Sequence, residues 1–163
     1  MRVVKFAGRL LLLFIGALCG AALASGVAAA VMKPRLPDRS KAEDDELDLV
    51  AIYDSRELRS TASSFRGGRL ICWYAGADLD LRGAQLDPFG AGLLVWTVFG
   101  GTRIRVPEDW RVDSKGIALF GGAYGTASRP EPPFDGPVLH IRHRTIFGGF
   151  GVLAEPDDEL LAV

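Results

Sequence analysis

The feature that most constrains this chain is a repeated pair of glycines directly after an aromatic residue. Phe99-Gly100-Gly101, Phe120-Gly121-Gly122 and Phe147-Gly148-Gly149 carry the full pattern, and Tyr53-Asp54-Ser55 and Tyr74-Ala75-Gly76 are degenerate copies. Glycines weaken a β-ladder unless the chain bends there or another backbone approaches closely. Apolar residues stand before each copy and alternate with polar ones after it. Each unit therefore predicts a strand, a glycine corner and a second strand.

The spacing of the aromatic residues predicts a repeat architecture. They stand at positions 53, 74, 99, 120 and 147, about 20–30 residues apart, which is typical of units that stack on one another. We expect an all-β, short stacked-rung β-solenoid or β-roll-like domain over residues 47–154. At each corner the aromatic ring would fill the core, and the glycines would let successive backbones stack. The expected corner residues are Tyr74, Gly76, Phe99, Gly100, Gly101, Phe120, Gly121, Gly122, Phe147, Gly148 and Gly149.

Charged residues recur at matched positions in the first three units. Four and six places after the aromatic residue the charges of successive units are mostly opposite in sign, the exception being Glu57 and Asp78, so stacking in chain order would place mostly opposite charges side by side. The alternative is a solvated charged face without a ladder. The residues are Glu57, Asp78 and Arg103 in one row and Arg59, Asp80 and Arg105 in the other.

The N-terminal segment predicts a membrane span. Residues 10–32 contain no charged side chain, and about 20 apolar residues suffice to cross a bilayer. We expect residues 1–32 to form one transmembrane helix, a signal anchor that makes the chain a single-pass protein of the cytoplasmic membrane, with the lipid bilayer as a partner. Basic residues flank both ends, so the sequence leaves open the side on which the β domain lies. A signal peptide cleaved after Ala22-Leu23-Ala24 is the alternative.

Shorter features flank this span and the β domain. Gly16 and Gly20 give the helix a small-residue face that predicts helix association, and thus a homodimer, although small residues are common in such spans. Residues 33–46 are polar and mostly acidic and predict a flexible linker. Residues 155–163 predict an acidic tail.

A search for chemistry argues against an enzyme. The net charge of −1 argues against a nucleic-acid-binding protein, which needs a concentrated basic face. His140 and His143 would point to opposite faces of a strand, which makes them a poor metal pair. Neither a nucleophile elbow nor a phosphate-binding loop is present. We therefore expect no catalytic residue, no metal and no cofactor.

Part of the chain resembles a known family. The segments "SSFRGGRLICWYAGADLDLRGAQL" (63–86), "VFGGTRIRVPEDWRV" (98–112) and "LFGG" (119–122) resemble the C-terminal domain of LiaF-like proteins, the cell-wall-active antibiotic response family. The resemblance implies a β-rich domain tethered to the bacterial cytoplasmic membrane. It also implies a part in envelope-stress signalling, where the best-known members restrain a sensor histidine kinase. Those members carry several transmembrane helices before the domain, whereas this chain has one apolar segment.

These observations predict a non-enzymatic, membrane-anchored β-repeat protein. We expect it to act as a protein-interaction or regulatory module in the envelope-stress response to cell-wall antibiotics, with a membrane protein such as a sensor histidine kinase as its partner. The alternative is a structural or adhesive module of the cell envelope without a signalling role. Deletion would separate the two, because only a regulator would alter the transcription of stress genes.

Overall fold

A computed structural model describes residues 2–36, 38–125, 127, 129 and 135–156, with no side-chain account of residues 2–8. The chain divides into two units, residues 1–36 and 37–163. The first contains helix α1 (Arg2–Met32), followed by a 3₁₀ turn over Lys33–Arg35. Pro34 lies at the start of this turn, where its fixed φ is tolerated and no backbone N–H donor is required. The expected single N-terminal apolar helix is confirmed, since residues 9–35 are long and apolar enough to cross a membrane.

The described residues of the second unit form a β domain of eight strands. The described strands run from Glu46 to Ala154, and most of the expected acidic tail, residues 157–163, lies outside the described residues. Every pairing between the described strands is parallel. The strands are β1 (Glu46–Ile52), β2 (Arg56–Arg59), β3 (Gly67–Trp73), β4 (Gly76–Asp80), β5 (Ala91–Val106), β6 (Arg111–Leu119), β7 (Gly122–Gly125) and β8 (Val138–Ala154).

The expected stacked-rung β-solenoid or β-roll is wrong. The strands form one eight-stranded parallel sheet, and its order does not follow the order of the units in the chain. Strand β8 pairs with β5 along nearly its whole length, while β6 and β7, which precede β8 in the chain, pair with the other side of β8. The spacing of the aromatic residues fixes which residues of two units can lie opposite each other. It does not determine which units become neighbours.

The sheet bends at the aromatic residues, which separate two arms. The first arm contains β1, β3, β6, residues 91–98 of β5 and residues 138–146 of β8, and the second contains β2, β4, β7 and the remaining halves of β5 and β8. Inward-facing residues of both arms, such as Leu70 and Leu79, belong to one buried cluster. The alternation of buried and exposed residues along β5 shows that each arm keeps the period of two expected of a strand.

The segment expected to be a flexible linker contacts the sheet along part of its length. The backbone N–H of Arg39 donates to the carbonyl oxygen of Asp48 at 3.4 Å, and the N–H of Asp48 donates to Ser40 Oγ at 2.9 Å. Asp38 also forms an ion pair with Arg56, with a distance of 3.3 Å between Nε and Oδ2. The two hydrogen bonds satisfy the backbone polar groups of Asp48 at the side of β1 away from β3, which would otherwise form an open strand edge.

Candidate interaction surface at the aromatic corner

Five aromatic rings stack on one another along the bend, and we call this row the aromatic ladder. All five residues have left-handed backbones, with φ between 51° and 61°. Such a conformation is uncommon in residues other than glycine, and here it recurs once in every unit. In the order Tyr53, Tyr74, Phe99, Phe147 and Phe120, neighbouring ring centroids lie 5.7, 4.8, 4.8 and 4.6 Å apart.

The expectation that these rings fill the core is wrong. None of them belongs to the buried cluster, and the exposed fractions of Tyr53 and Phe120, at the two ends, are 45% and 71%. The left-handed residue bends the chain and leaves its side chain on the outside of the bend. Stacking between rings therefore removes apolar surface from water at a place that the core does not reach.

The two glycines of each pair differ in their surroundings. A Cβ atom at Gly100, Gly121 or Gly148 would overlap a backbone carbonyl oxygen of the neighbouring unit. A Cβ atom at Gly101, Gly122 or Gly149 would meet no atom within 4 Å. Gly76 is intermediate, because its Cβ would lie 3.2 Å from Ser55 Oγ. The first glycine of a pair thus allows close approach between backbones, and the second leaves open space on the outer surface.

This open space forms a groove of about 430 Å³ on the outer surface of the second arm, which we call the glycine groove. Its floor includes three glycines from neighbouring strands, Gly76, Gly101 and Gly149. The volume falls in the range of ligand-binding clefts. The other lining residues are Ser55, Arg56, Glu57, Ala77, Asp78, Thr102, Arg103 and Tyr124.

Charges of both signs and one exposed ring line the glycine groove. Arg103 and Arg105 lie 3.4 and 3.1 Å from the carboxylate of Asp78, and the register places Arg103 beside Asp78 and Asp78 beside Glu57. A hydrogen bond with Tyr124, together with the charge of Asp78, raises the pKa of Arg103. Tyr124 covers Gly151, where a side chain would collide with its ring. The groove therefore offers fixed positive and negative groups next to an aromatic surface.

The second expected row of charges is only partly as predicted. The register does align Arg59, Asp80 and Arg105 on adjacent strands. Asp80, however, forms its close ion pair with Arg82, whose Nε and Nη2 donate to its carboxylate at 2.9 and 2.7 Å. Burial by itself raises the pKa of Asp80, but the hydrogen bonds and charge of Arg82 outweigh it and hold the pKa below its ordinary value.

The outer surface of the first arm, the first-arm face, carries exposed apolar and basic side chains. Large apolar residues are exposed on β5, β6 and β8, and the guanidinium of Arg144 lies 4.9 Å from the centre of the Trp96 ring. A cation over an indole ring is a favourable arrangement. The exposed residues of this face are Leu94, Trp96, Lys115, Ile117, Leu119, Arg142, Arg144 and Ile146.

A second, smaller cavity of about 190 Å³ lies beside His143. His143 is buried, with an exposed fraction of 6%. Its ring stacks on that of Phe150, with 4.2 Å between the ring centroids, and its Nδ1 has no hydrogen-bond partner among the described residues. Burial lowers the pKa of His143, which favours its neutral form. His140 faces the other way and lies 3.4 Å from Asp113. The two histidines therefore do not form one site.

Other predicted or candidate residues are not brought together. Cys72 is buried, its Sγ lies 2.9 Å from the carbonyl oxygen of Ala75, and burial raises the pKa of its thiol. Among the described residues, no three His, Cys, Asp or Glu side chains lie close enough to hold a metal ion. Gly16 and Gly20 lie on α1 with nothing within 4 Å of an added Cβ, so helix association stays a prediction.

The glycine groove was missed from the sequence, although a signal for it was present. Glu57, Asp78, Arg103 and Tyr124 all stand four places after an aromatic residue of the ladder. Their common position marks one row on the outer surface. Because the repeat predicts buried rings, it gives no indication of an open surface between the rings and this row.

No protein-family model matches the chain, and no match was found among curated proteins or solved structures.

Proposed function

We propose that this chain is a single-pass membrane protein whose β domain binds another membrane-associated protein as a non-enzymatic, regulatory module of the bacterial envelope-stress response. The apolar helix α1 would anchor it in the cytoplasmic membrane. The partner would be a membrane protein such as a sensor histidine kinase. A homodimer formed through Gly16 and Gly20 is compatible with this role.

The glycine groove is the observation that carries the proposal. It is an open, concave surface of about 430 Å³ that presents Arg56, Glu57, Asp78 and Arg103 beside the exposed ring of Tyr124. Charges of both signs in fixed positions favour a partner with complementary charges, and Tyr and Arg are enriched in protein interfaces. A polypeptide segment with mixed charges fits this chemistry.

Two further features support the membrane location and the envelope-stress role in this proposal. Residues 9–35 are long and apolar enough to cross a bilayer, which supports anchoring. The resemblance of residues 47–153 to LiaF-like domains supports a role in the response to cell-wall antibiotics. Both features are independent of the groove, so the site and the setting can be tested separately.

The test uses full-length variants expressed in cells that lack the native gene. Arg103→Glu reverses a charge in the groove, and Tyr124→Ala removes its aromatic wall. Arg66→Glu is the matched control, because Arg66 is an exposed arginine outside the groove. Transcription of envelope-stress genes is measured with and without a cell-wall antibiotic, and protein levels are matched by immunoblotting.

A regulator that uses the groove would show the deletion phenotype in both groove variants and wild-type transcription in Arg66→Glu. If both groove variants restore wild-type transcription at matched levels, the groove is not the binding site. If deletion changes envelope integrity and leaves stress-gene transcription unchanged, the chain is a structural or adhesive module instead.

A further inference from the structure

We propose that the aromatic ladder and the adjoining first-arm face dock onto an anionic lipid bilayer. The phenylalanine end of the ladder would enter the hydrocarbon boundary, and the basic residues of the first-arm face would meet the lipid headgroups. This inference rests on the proposed membrane anchoring and adds a second membrane contact, made by the β domain itself.

Polarity changes in one direction along the first-arm face. The outward residues of β5, β8 and β6 form successive rows that the strand register aligns. Phe99, Phe147 and Phe120 form the row at the bend. Moving away from the bend, the next rows are Val98, Ile146 and Leu119; then Trp96, Arg144 and Ile117; then Leu94, Arg142 and Lys115; and finally Gly92, His140 and Asp113.

This gradient matches the cross-section of a membrane interface. Strands rise about 3.3 Å per residue, so Trp96 lies about 10 Å along β5 from Phe99. Amphipathic elements bury their apolar side about 5–10 Å into the boundary between headgroups and acyl chains. With the bend inserted to that depth, Trp96 and Arg144 would lie at the interface, where tryptophan and arginine are favoured. The row with His140 and Asp113 would stay in water.

The charge of this face favours anionic lipids. Arg142, Arg144 and Lys115 carry positive charge in the two rows next to the apolar end. Among the outward residues of β5, β6 and β8 the acidic one is Asp113, which lies in the outermost row and contacts Lys115 at 2.8 Å and His140 at 3.4 Å. Asp48 of β1 lies one row nearer the bend, where it pairs with Arg69 at 2.6 Å. Basic residues near an anionic bilayer each contribute about 1 kcal/mol of attraction, which corresponds to about a fivefold change in the docking equilibrium.

The arrangement fits a lipid surface better than a protein interface. Protein interfaces usually have an apolar centre enclosed by a polar rim. On the first-arm face the apolar residues lie at one end, at the exposed bend, and the basic residues lie behind them. The tether is compatible with this contact, because residues 36–45 separate the 3₁₀ turn from β1 and a chain of this length spans at most about 35 Å.

Tryptophan fluorescence tests the inference on the full chain. All three tryptophans, Trp73, Trp96 and Trp110, belong to the β domain, so quenching by lipid reports on this domain and not on α1. The chain is reconstituted into vesicles of phosphatidylcholine with or without phosphatidylglycerol, using acyl chains that carry bromine. We expect strong quenching with the anionic lipid and weaker quenching with the neutral lipid or at high salt.

Variants locate the contact on the first-arm face. Trp73→Phe/Trp110→Phe leaves Trp96 as the single tryptophan, and its emission should be quenched. Because Trp110 is buried against Phe65 and its loss can impair folding, Trp96→Phe in the otherwise unchanged chain is a second test and should lose much of the quenching. Arg142→Gln/Arg144→Gln should lower the docked-to-undocked ratio by about fivefold per residue, whereas Arg66→Gln should not.

Each outcome decides the inference. Equal emission in brominated and unbrominated anionic vesicles overturns it, and so does quenching that Trp96→Phe leaves unchanged. If the chain self-associates and its tryptophan emission is not quenched, the face binds a second copy of the chain, and the inference is overturned as well. Extraction by alkaline carbonate tests the anchor separately: a chain that resists extraction but shows no quenching retains the anchor and loses only the lipid contact of the β domain.

Discussion

Phe99 and Phe147 stack with their ring centroids 4.8 Å apart and their planes within 4° of each other, although an entire unit of the chain lies between them. The next ring in the ladder is Phe120, which belongs to that intervening unit and stacks on the outer side of Phe147 at 4.6 Å. The order of the rings therefore follows the order of the strands in the sheet. Phe147 is the ring through which the last strand joins the rest of the ladder.

The ladder should contribute measurably to stability. Phe147→Ala removes a half-buried ring that stacks on two neighbours, so we expect the free energy of unfolding to fall by about 2–3 kcal/mol. Phe89→Ala is the control, since Phe89 is 99% exposed and should change the value by less than about 0.5 kcal/mol. Urea unfolding of the full chain in detergent, followed by tryptophan fluorescence, measures both. Equal effects of the two substitutions would contradict a stabilising ladder.

The two glycines of one corner should respond differently to the same substitution. An added Cβ at Gly148 would overlap the carbonyl oxygen of Gly100, whereas an added Cβ at Gly149 meets nothing within 4 Å. We expect Gly148→Ala to lower the free energy of unfolding by about 2 kcal/mol or more, and Gly149→Ala to change it by less than about 1 kcal/mol. The same urea titration compares them. If Gly148→Ala left the free energy of unfolding unchanged, β5 and β8 could move apart at the corner without loss of stability.

The Asp80–Arg82 ion pair should matter more than exposed ion pairs. Both side chains are largely buried, with exposed fractions of 8% and 6%, and Arg82 Nη1 also donates to the carbonyl oxygen of Pro156 at 2.9 Å. Asp80→Asn removes the carboxylate charge beside a buried guanidinium, for which we expect a loss of about 3 kcal/mol. Asp48→Asn, which breaks the exposed pair with Arg69, should cost less than about 1 kcal/mol. Thermal unfolding of both variants tests this ranking.

His143 should make stability depend on pH. Because burial lowers its pKa in the folded protein, the unfolded chain binds a proton more readily, and protonation favours unfolding. Stability should thus be constant above about pH 7 and fall as the pH drops below about 6.5, the ordinary value for histidine. His143→Leu should remove this slope between pH 7 and 5, and His140→Gln, at an exposed position, should retain it. Urea midpoints across the pH range are the measurement, and an unchanged slope in His143→Leu would assign it to another group.

The repeat predicted local pairings better than the overall arrangement. Alignment of the units on their aromatic residues gives the observed register, in which Gly100 lies opposite Gly148 and Asp78 opposite Arg103. The expected solenoid and the expected burial of the rings were both wrong. The groove escaped prediction because its floor consists of glycines, whose roles depend on what neighbouring strands leave open.

The sequence by itself determined the apolar helix, the position of each bend and the residues that lie opposite each other in paired strands. These properties depend on local composition and on the period of two along a strand, which are present in the sequence. Only the tertiary structure decided that β8 lies between β5 and β6, that the rings stack outside the core, and that the second glycines open a groove. These properties depend on which strands become neighbours, and several strand orders are compatible with one repeat.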